Sequence, residues 1–233
     1  MRQNRGQQMN KTKRFHSLLA AALVLGYAGS CAVAQKIVPT TTPAAIKPPA
    51  GNSAFLVGHA EGTQGYVCLP TSTGASWTVN GSRPEAVLFA SSSGQKMKKT
   101  KAARKKDFEI THFLSPDTNP NQFAPNPVPF GSPTWRSSAD GSVVWAKALT
   151  PPVVSGSDAS CPNSGAIPCL LLQSIGSQDG PTGGKFIAQT TFIQRLNTKG
   201  GSAPANDCST SADVGKQTLV PYTADYYFFR KDE

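Results

Sequence analysis

Residues 54–90 read AFLVGHAEGTQGYVCLPTSTGASWTVNGSRPEAVLFA, and this stretch decides the fold class. It contains four short runs rich in β-branched and aromatic residues, at 54–59, 63–68, 75–79 and 85–90, separated by clusters of Gly, Pro, Asn and Ser. Such runs predict strands, and none of them shows a helical period. Asn80-Gly81 tolerates positive φ at both central turn positions, as a tight type I′ hairpin turn requires. The stretch therefore predicts antiparallel strands that are joined by short turns.

The same pattern continues to the end of the chain. Further strand-like runs lie at 107–113, 142–149, 168–175, 185–196 and 219–230. Asp140-Gly141 predicts another tight turn, after the segment around Trp135. Many short strands with tight turns predict an all-β domain, most simply an antiparallel β-sandwich, with a closed or partly open β-barrel as the alternative.

The predicted domain spans residues 51–233, because the length of the chain suits one domain better than two. Residues 35–50 are rich in Pro and Thr and predict an extended lead-in. Two long surface loops are expected within the domain. One is the Ser/Gly-rich and then basic segment 91–106, and the other is the Pro-rich segment 115–131, where proline lacks the amide donor that a sheet needs.

The first 34 residues have the pattern of a secretory signal peptide. A basic leader without acidic residues precedes an apolar run at 18–28, which is too short to span a bilayer as a helix. Ala32-Val33-Ala34 then provides a cleavage site, so a secreted or periplasmic protein without a transmembrane span is expected. The alternatives are a start at Met9 and a lipid anchor on Cys31, whose flanking residues match a lipobox poorly.

The basic charge of the chain belongs mainly to one segment. The sequence has 23 Lys and Arg against 13 Asp and Glu, a net charge of +10. Five basic residues lie in the leader, and seven of the other 18 lie in residues 96–106. The rest of the chain is slightly acidic, so no nucleic-acid partner is expected. Lys98, Lys101 and Lys105 would share one face if this segment became helical on an anionic surface, such as lipid headgroups.

The cysteine count is consistent with export. Without Cys31, four cysteines remain, namely Cys68, Cys161, Cys169 and Cys208. An even number in an exported chain predicts two disulfides, for which three pairings are possible. Cys161 and Cys169 bracket a short segment and would pair locally, and the other two would then close a long loop. No C-x-x-C motif is present, so neither a metal site nor a cofactor is expected.

Few residues are candidates for catalysis. His59 and His112 are the only histidines after the leader, and a hydrolase would place one of them beside Glu61, Asp140 or Asp225. The sequence contains no G-x-S-x-G elbow, no H-E-x-x-H motif and no phosphate-binding glycine loop. Catalysis is therefore an alternative to the leading hypothesis, which is ligand binding.

Aromatic residues are the first candidates for a binding surface. Trp135 lies beside the Asp140 turn and is expected to be exposed, where its ring face could bind a sugar ring. Trp145 and Tyr226 are expected in the core instead.

Three polar residues in the C-terminal strand-like runs are the second candidates. Arg195 and Asp225 are charged residues in otherwise apolar runs, where an unpaired charge is costly. The two are therefore expected to form an ion pair, and with Gln194 they could line a polar pocket. A purely structural ion pair is the alternative, and the residues favour it.

Several motifs in a fixed order resemble a known family. They lie at 48–52, 62–68, 131–135, 140–144, 167–172, 193–201 and 221–228. Together they are similar to a family of exported bacterial and fungal proteins known as domain of unknown function 3455. Some fungal relatives carry the label malate dehydrogenase, but this sequence has no G-x-G-x-x-G after a strand and no βαβ alternation.

Two departures from the family pattern bear on the expected contacts. The family has Ile-Pro-Trp-Leu-Leu-Leu where this chain has Cys169 at the Trp position, and Cys161 lies close by. This departure favours the local disulfide and leaves the other two cysteines to pair. The family also places a His ahead of Gly-Pro-Thr-Trp, a pattern that His112 and Trp135 match, although an insertion separates them and Ser132 is added.

The sequence thus predicts an exported protein whose most favoured function is non-enzymatic binding of a glycan or another envelope component. The first alternative is a secreted hydrolase with a His/carboxylate pair. The second is a structural envelope protein that is attached through the basic residues 96–106.

Overall fold

The structure of the protein is a computed structural model, which describes residues 37–79, 85–91, 109–115 and 131–233. The described part is almost entirely β. Its strands are β1 (Asn52–Thr71), β2 (Gly74–Val79), β3 (Glu85–Ser91), β4 (Glu109–Leu114), β5 (Pro133–Ser137), β6 (Val143–Ala148), β7 (Leu170–Gln178), β8 (Phe192–Gly200) and β9 (Gln217–Lys231). Its helical elements are two short 3-10 turns, Ala44–Ile46 and Ser211–Asp213. The predicted all-β class is confirmed.

All strand pairings are antiparallel, and most join strands that follow each other in the chain. The order is β2-β1-β3-β4-β5-β6-β7-β8-β9, and β9 also pairs with β1. The β1–β9 ladder runs from Asn52 opposite Lys231 to Val67 opposite Gln217. On its other edge β1 pairs with β3 and then with β2. The pairings of β1 and β3–β9 therefore form a closed circuit, in which each strand is hydrogen-bonded on both edges.

The main core lies within this circuit. Since side chains along a strand alternate between the two faces of a sheet, every strand of the circuit contributes inward-facing residues. The following buried residues are one example from each strand, in the order β1 and then β3 to β9: Leu56, Leu88, Ile110, Trp135, Val144, Leu172, Ile193 and Tyr226. Tyr226 is buried here, and Trp145 is also buried, as predicted.

A second apolar cluster lies on the outer face of β1, β7, β8 and β9. Ile37 and Ile46 of the lead-in pack there with Leu171, Leu196 and Phe229. The main-chain oxygen of the buried Ile46 accepts a hydrogen bond from a side chain of β8. The described part of the Pro-rich lead-in is therefore an integral layer of the fold.

Both disulfides have the predicted pairing. Cys68–Cys208 joins β1 to the loop before β9 across 140 residues of sequence. Cys161–Cys169 links two residues that are 8 positions apart in the sequence, beside β7. Both cysteines belong to the second apolar cluster. The described residues belong to one compact unit, Ala34–Glu233.

Two differences from the sequence prediction concern strand boundaries. β1 is continuous where two strands were expected at 54–59 and 63–68, because Gly62 permits close approach of two backbones. A Cβ at Gly62 would lie 2.5 Å from the Cβ of Ala86 on β3. β8 begins at Phe192, later than the predicted run 185–196.

Some predictions fall on residues that the structure does not describe. They are the signal peptide, the Asn80-Gly81 turn, the basic residues 96–106 and most of the Pro-rich loop 115–131. Within the described ranges, no helix has the length and apolarity needed to cross a membrane.

Candidate functional site

A cavity of about 140 Å³ is lined mostly by inward-facing side chains of the strand circuit. Its apolar lining comes from Val79, Leu114, Pro133, Leu170 and Leu172. Its polar and aromatic lining comes from Gln64, His112, Trp135, Arg195 and Tyr226. A mostly apolar space with a few convergent polar groups is the usual form of a small-molecule site, and this one is smaller than the roughly 300–1,000 Å³ of most such sites.

The wall of the cavity contains a stacked pair of rings. His112 on β4 lies opposite Trp135 on β5, with ring centroids 4.4 Å apart and planes 5° from parallel. Tyr226 contacts both rings, at centroid distances of 5.4 Å and 5.9 Å. Both members of the stack are buried, with 4% and 0% of their surface exposed. The expectation that Trp135 is exposed is wrong, because its position on β5 points into the core.

The imidazole of His112 is held neutral. The pKa of His112 is lowered to about 4, mainly by burial; a hydrogen bond to Thr134 opposes this shift, and the charge of Arg195 adds to it. The Nδ1 atom lies 3.0 Å from the main-chain oxygen of Thr134, so it must carry the proton and donate it. The Nε2 atom is then the acceptor of the ring.

The indole nitrogen of Trp135 is a buried donor. Among the described residues, Nε1 of Trp135 has no hydrogen-bond partner. Buried polar groups almost always have one, so an exception in the wall of a cavity requires an explanation. The nitrogen is enclosed by protein atoms, so this unpaired donor is a cost of the fold at this position.

Arg195 is the one cation among the residues that line the cavity, and it lies on β8 opposite Leu170 and Tyr226. Its Nε donates to the main-chain oxygen of Pro168 at 3.0 Å. The ion pairs found among the described residues do not include Arg195. The expected pair with Asp225 is wrong, because Asp225 lies one residue from Tyr226 on β9 and points to the outer face.

Asp225 instead accepts hydrogen bonds on the outer face of the sheet. The Nδ1 atom of His59, its cross-strand neighbour on β1, lies 2.6 Å from Oδ1 of Asp225. Asn197 donates to Oδ2 at 2.7 Å. Asn197 has a φ of 52° and lies at an irregularity in β8, where the ladder to β9 shifts register. Such a bulge redirects a side chain, and Asn tolerates this backbone conformation.

The comparison with protein families covers nearly all the described strands. A family described as Protein of unknown function (DUF3455) matches residues 49–230. The chain belongs to this family. Neither the curated proteins nor the solved structures include a match. The cavity and the His59–Asp225 pair of this DUF3455 chain both lie within the matched range.

Two predicted site residues have structural roles in the DUF3455 fold. Asp140 accepts hydrogen bonds from the main-chain N–H groups of Ser142 and Phe186. Burial alone would raise the pKa of Asp140, but these hydrogen bonds outweigh it and the pKa lies below its usual value. Gln194 is fully buried on the outer face and donates to Ile46. Neither residue lines the cavity.

The other candidates lie apart from the cavity as well. Glu61 is on the same face of β1 as His59 and lines a wider groove of about 560 Å³. Lys98, Lys101 and Lys105 lie outside the described residues. In the part of the chain that the structure describes, no group of three or more His, Cys, Asp or Glu is placed to hold a metal ion.

Sequence reasoning missed several residues of the cavity, including Gln64, Leu170 and Leu172. A signal for part of the site was present in β4. Ile110, His112 and Leu114 alternate along that strand, which places the histidine on the same face as two apolar residues. A histidine on the inward face of a strand is a candidate for a cavity wall.

Proposed function

We propose that this DUF3455 protein is an exported binding protein that holds a small, largely apolar ligand in the cavity beside the His112–Trp135 stack. The observation that carries the proposal is the lining of the cavity, in which aliphatic side chains, the His112–Trp135 stack and the guanidinium of Arg195 meet. A mostly apolar space with a few convergent polar groups suits a small, largely apolar ligand.

The size of the cavity supports a ligand of about one ring. The cavity measures about 140 Å³. An apolar protein cavity of about 150 Å³ binds benzene. Half of the lining is aliphatic, so a sugar would leave many hydroxyl groups without partners. These properties favour a flat apolar body over the carbohydrate that the sequence suggested.

Export is supported by the leader pattern and by the disulfides. Two disulfides are stable in an oxidising compartment and are rare in the cytosol. The basic leader with its apolar run and cleavage site is of the secretory type. The source cells are separated into periplasmic, extracellular and cytosolic fractions, and the amount of the mature chain in each fraction is measured to test this part of the proposal. A mature chain that is confined to the cytosol would contradict it.

The binding proposal is tested by the NMR signal of the Trp135 indole N–H. The signal is assigned by its loss in Trp135→Phe, and the protein is titrated with neutral and charged single-ring compounds and with monosaccharides. We expect saturable shifts of the Trp135 signal with single-ring compounds and none with sugars. Shifts with sugars alone would favour the carbohydrate hypothesis. If no compound moves this signal, the binding proposal is wrong.

A hydrolase is the second candidate, and the His59–Asp225 pair is the observation that favours it. The carboxylate orients the imidazole as in hydrolytic sites, and the distance is 2.6 Å. Neither residue lines the cavity of the Trp135 stack. Hydrolysis of chromogenic esters and glycosides that His59→Gln abolishes and His112→Phe preserves would support this candidate. If His59→Gln and His112→Phe hydrolyse these compounds at the same background rate, the hydrolase hypothesis is excluded.

A further inference from the structure

We propose that the ligand of the cavity is a single-ring organic carboxylate, which binds with its carboxylate on Arg195 and its ring beside the His112–Trp135 stack. This inference rests on the proposed binding function and specifies the chemical class of the ligand. It is carried by the charge, the hydrogen bonds and the volume of the cavity.

The first argument is the unsatisfied charge of Arg195. A guanidinium has five N–H donors and never loses its charge in a protein. One donor of Arg195, Nε, is used by the main-chain oxygen of Pro168. The ion pairs of the described residues leave out Arg195, although its side chain is partly buried in the cavity wall. A partly buried charge of this kind is stabilised by a counter-ion.

The second argument is that the neighbouring groups are neutral. Burial raises the pKa of the Tyr66 and Tyr222 phenols, so neither is an anion at neutral pH. The Tyr66 hydroxyl donates to the main-chain oxygen of Gly201 at 2.6 Å, and the Tyr222 hydroxyl lies 3.2 Å from that of Tyr226. These hydroxyl groups are neutral and do not balance the charge of the guanidinium. A bound anion would balance the charge of Arg195.

The third argument concerns which anion fits. A carboxylate matches the fork of a guanidinium with two parallel hydrogen bonds. A doubly charged phosphate would require a second cation, and Arg195 is the one cation among the residues that line this cavity. The cavity as a whole has the volume of about one ring, next to stacked aromatic side chains.

The experiment compares benzoate with benzamide, which has nearly the same shape and no charge. Each is titrated into the purified protein, with the Trp135 indole signal and calorimetry as readouts. We expect benzoate to bind about tenfold more tightly or better, as hydrogen bonds to a charged group imply. Arg195→Gln should remove this preference and retain weak benzamide binding. Arg136→Gln changes an exposed arginine on β5 and is the matched control, which should retain the preference.

Each outcome separates this inference from the proposed function. Equal binding of benzoate and benzamide would overturn the carboxylate inference while the binding function stands. Tighter binding of inorganic phosphate than of benzoate would overturn it as well. Failure of every single-ring compound to move the Trp135 signal would overturn both. Should Arg195→Gln not fold, the comparison of the two compounds in the unchanged protein decides the question without a variant.

Discussion

His112 should make the protein less stable in mild acid. Burial and the charge of Arg195 lower the pKa of this ring from 6.5 to about 4 in the folded protein. The unfolded chain takes up a proton below pH 6.5, whereas the folded ring stays neutral until about pH 4. The stability linked to His112 is therefore complete above pH 6.5 and is lost as the pH falls from 6.5 to 4. One pKa unit corresponds to about 1.4 kcal/mol, so the loss between pH 7 and pH 4.5 is about 2.5 kcal/mol.

Urea unfolding at pH 7 and pH 4.5 measures this loss. His112→Phe retains a ring against Trp135 but does not titrate, so its free energy of unfolding should fall by about 2.5 kcal/mol less than that of the unchanged protein. His59→Gln changes the outer histidine and should leave the contribution of His112 in place. If the unchanged protein and His112→Phe lose equal stability between the two pH values, the account of a buried neutral imidazole is refuted.

Two further predictions concern packing and the disulfides. Gly62→Ala would place a methyl group against β3 and should lower the free energy of unfolding by about 1–3 kcal/mol, which a urea midpoint measures; an unchanged midpoint would contradict the close strand approach. Replacing both Cys68 and Cys208 by Ser should destabilise the protein by about 5 kcal/mol, against about 2.5 kcal/mol for Cys161 and Cys169, because the first pair closes the longer loop. Equal thermal shifts of the two double variants would contradict the loop-entropy argument.

The strands could be predicted where alternation and turn residues were clear. β3 and β9 lie close to the predicted runs, because both combine apolar residues with flanking turn residues. β5, with the sequence Pro-Thr-Trp-Arg-Ser, has a single large apolar residue and was expected only as a segment around Trp135. The β1–β9 ladder that closes the circuit joins opposite ends of the domain, and no local pattern encodes such a pairing.

The site was predictable in part. The resemblance to the family linked His112 with Trp135, and the structure brings these rings together despite the insertion between them. Arg195 was predicted as one partner of an ion pair, for which a structural role was favoured over the lining of a pocket; it lines the cavity without that partner. Its expected partner was wrong because the register of β8 and β9 could not be derived from sequence. A shift of one residue in that register moves Asp225 from the inner face to the outer face.

The crystal structure of the protein with benzoate tests the central claim most directly. The account predicts benzoate inside the strand circuit, with its carboxylate on the guanidinium of Arg195 and its ring beside Trp135. An empty cavity at a benzoate concentration that saturates the solution signal, or a benzoate bound only at the outer face of the sheet, would contradict the account.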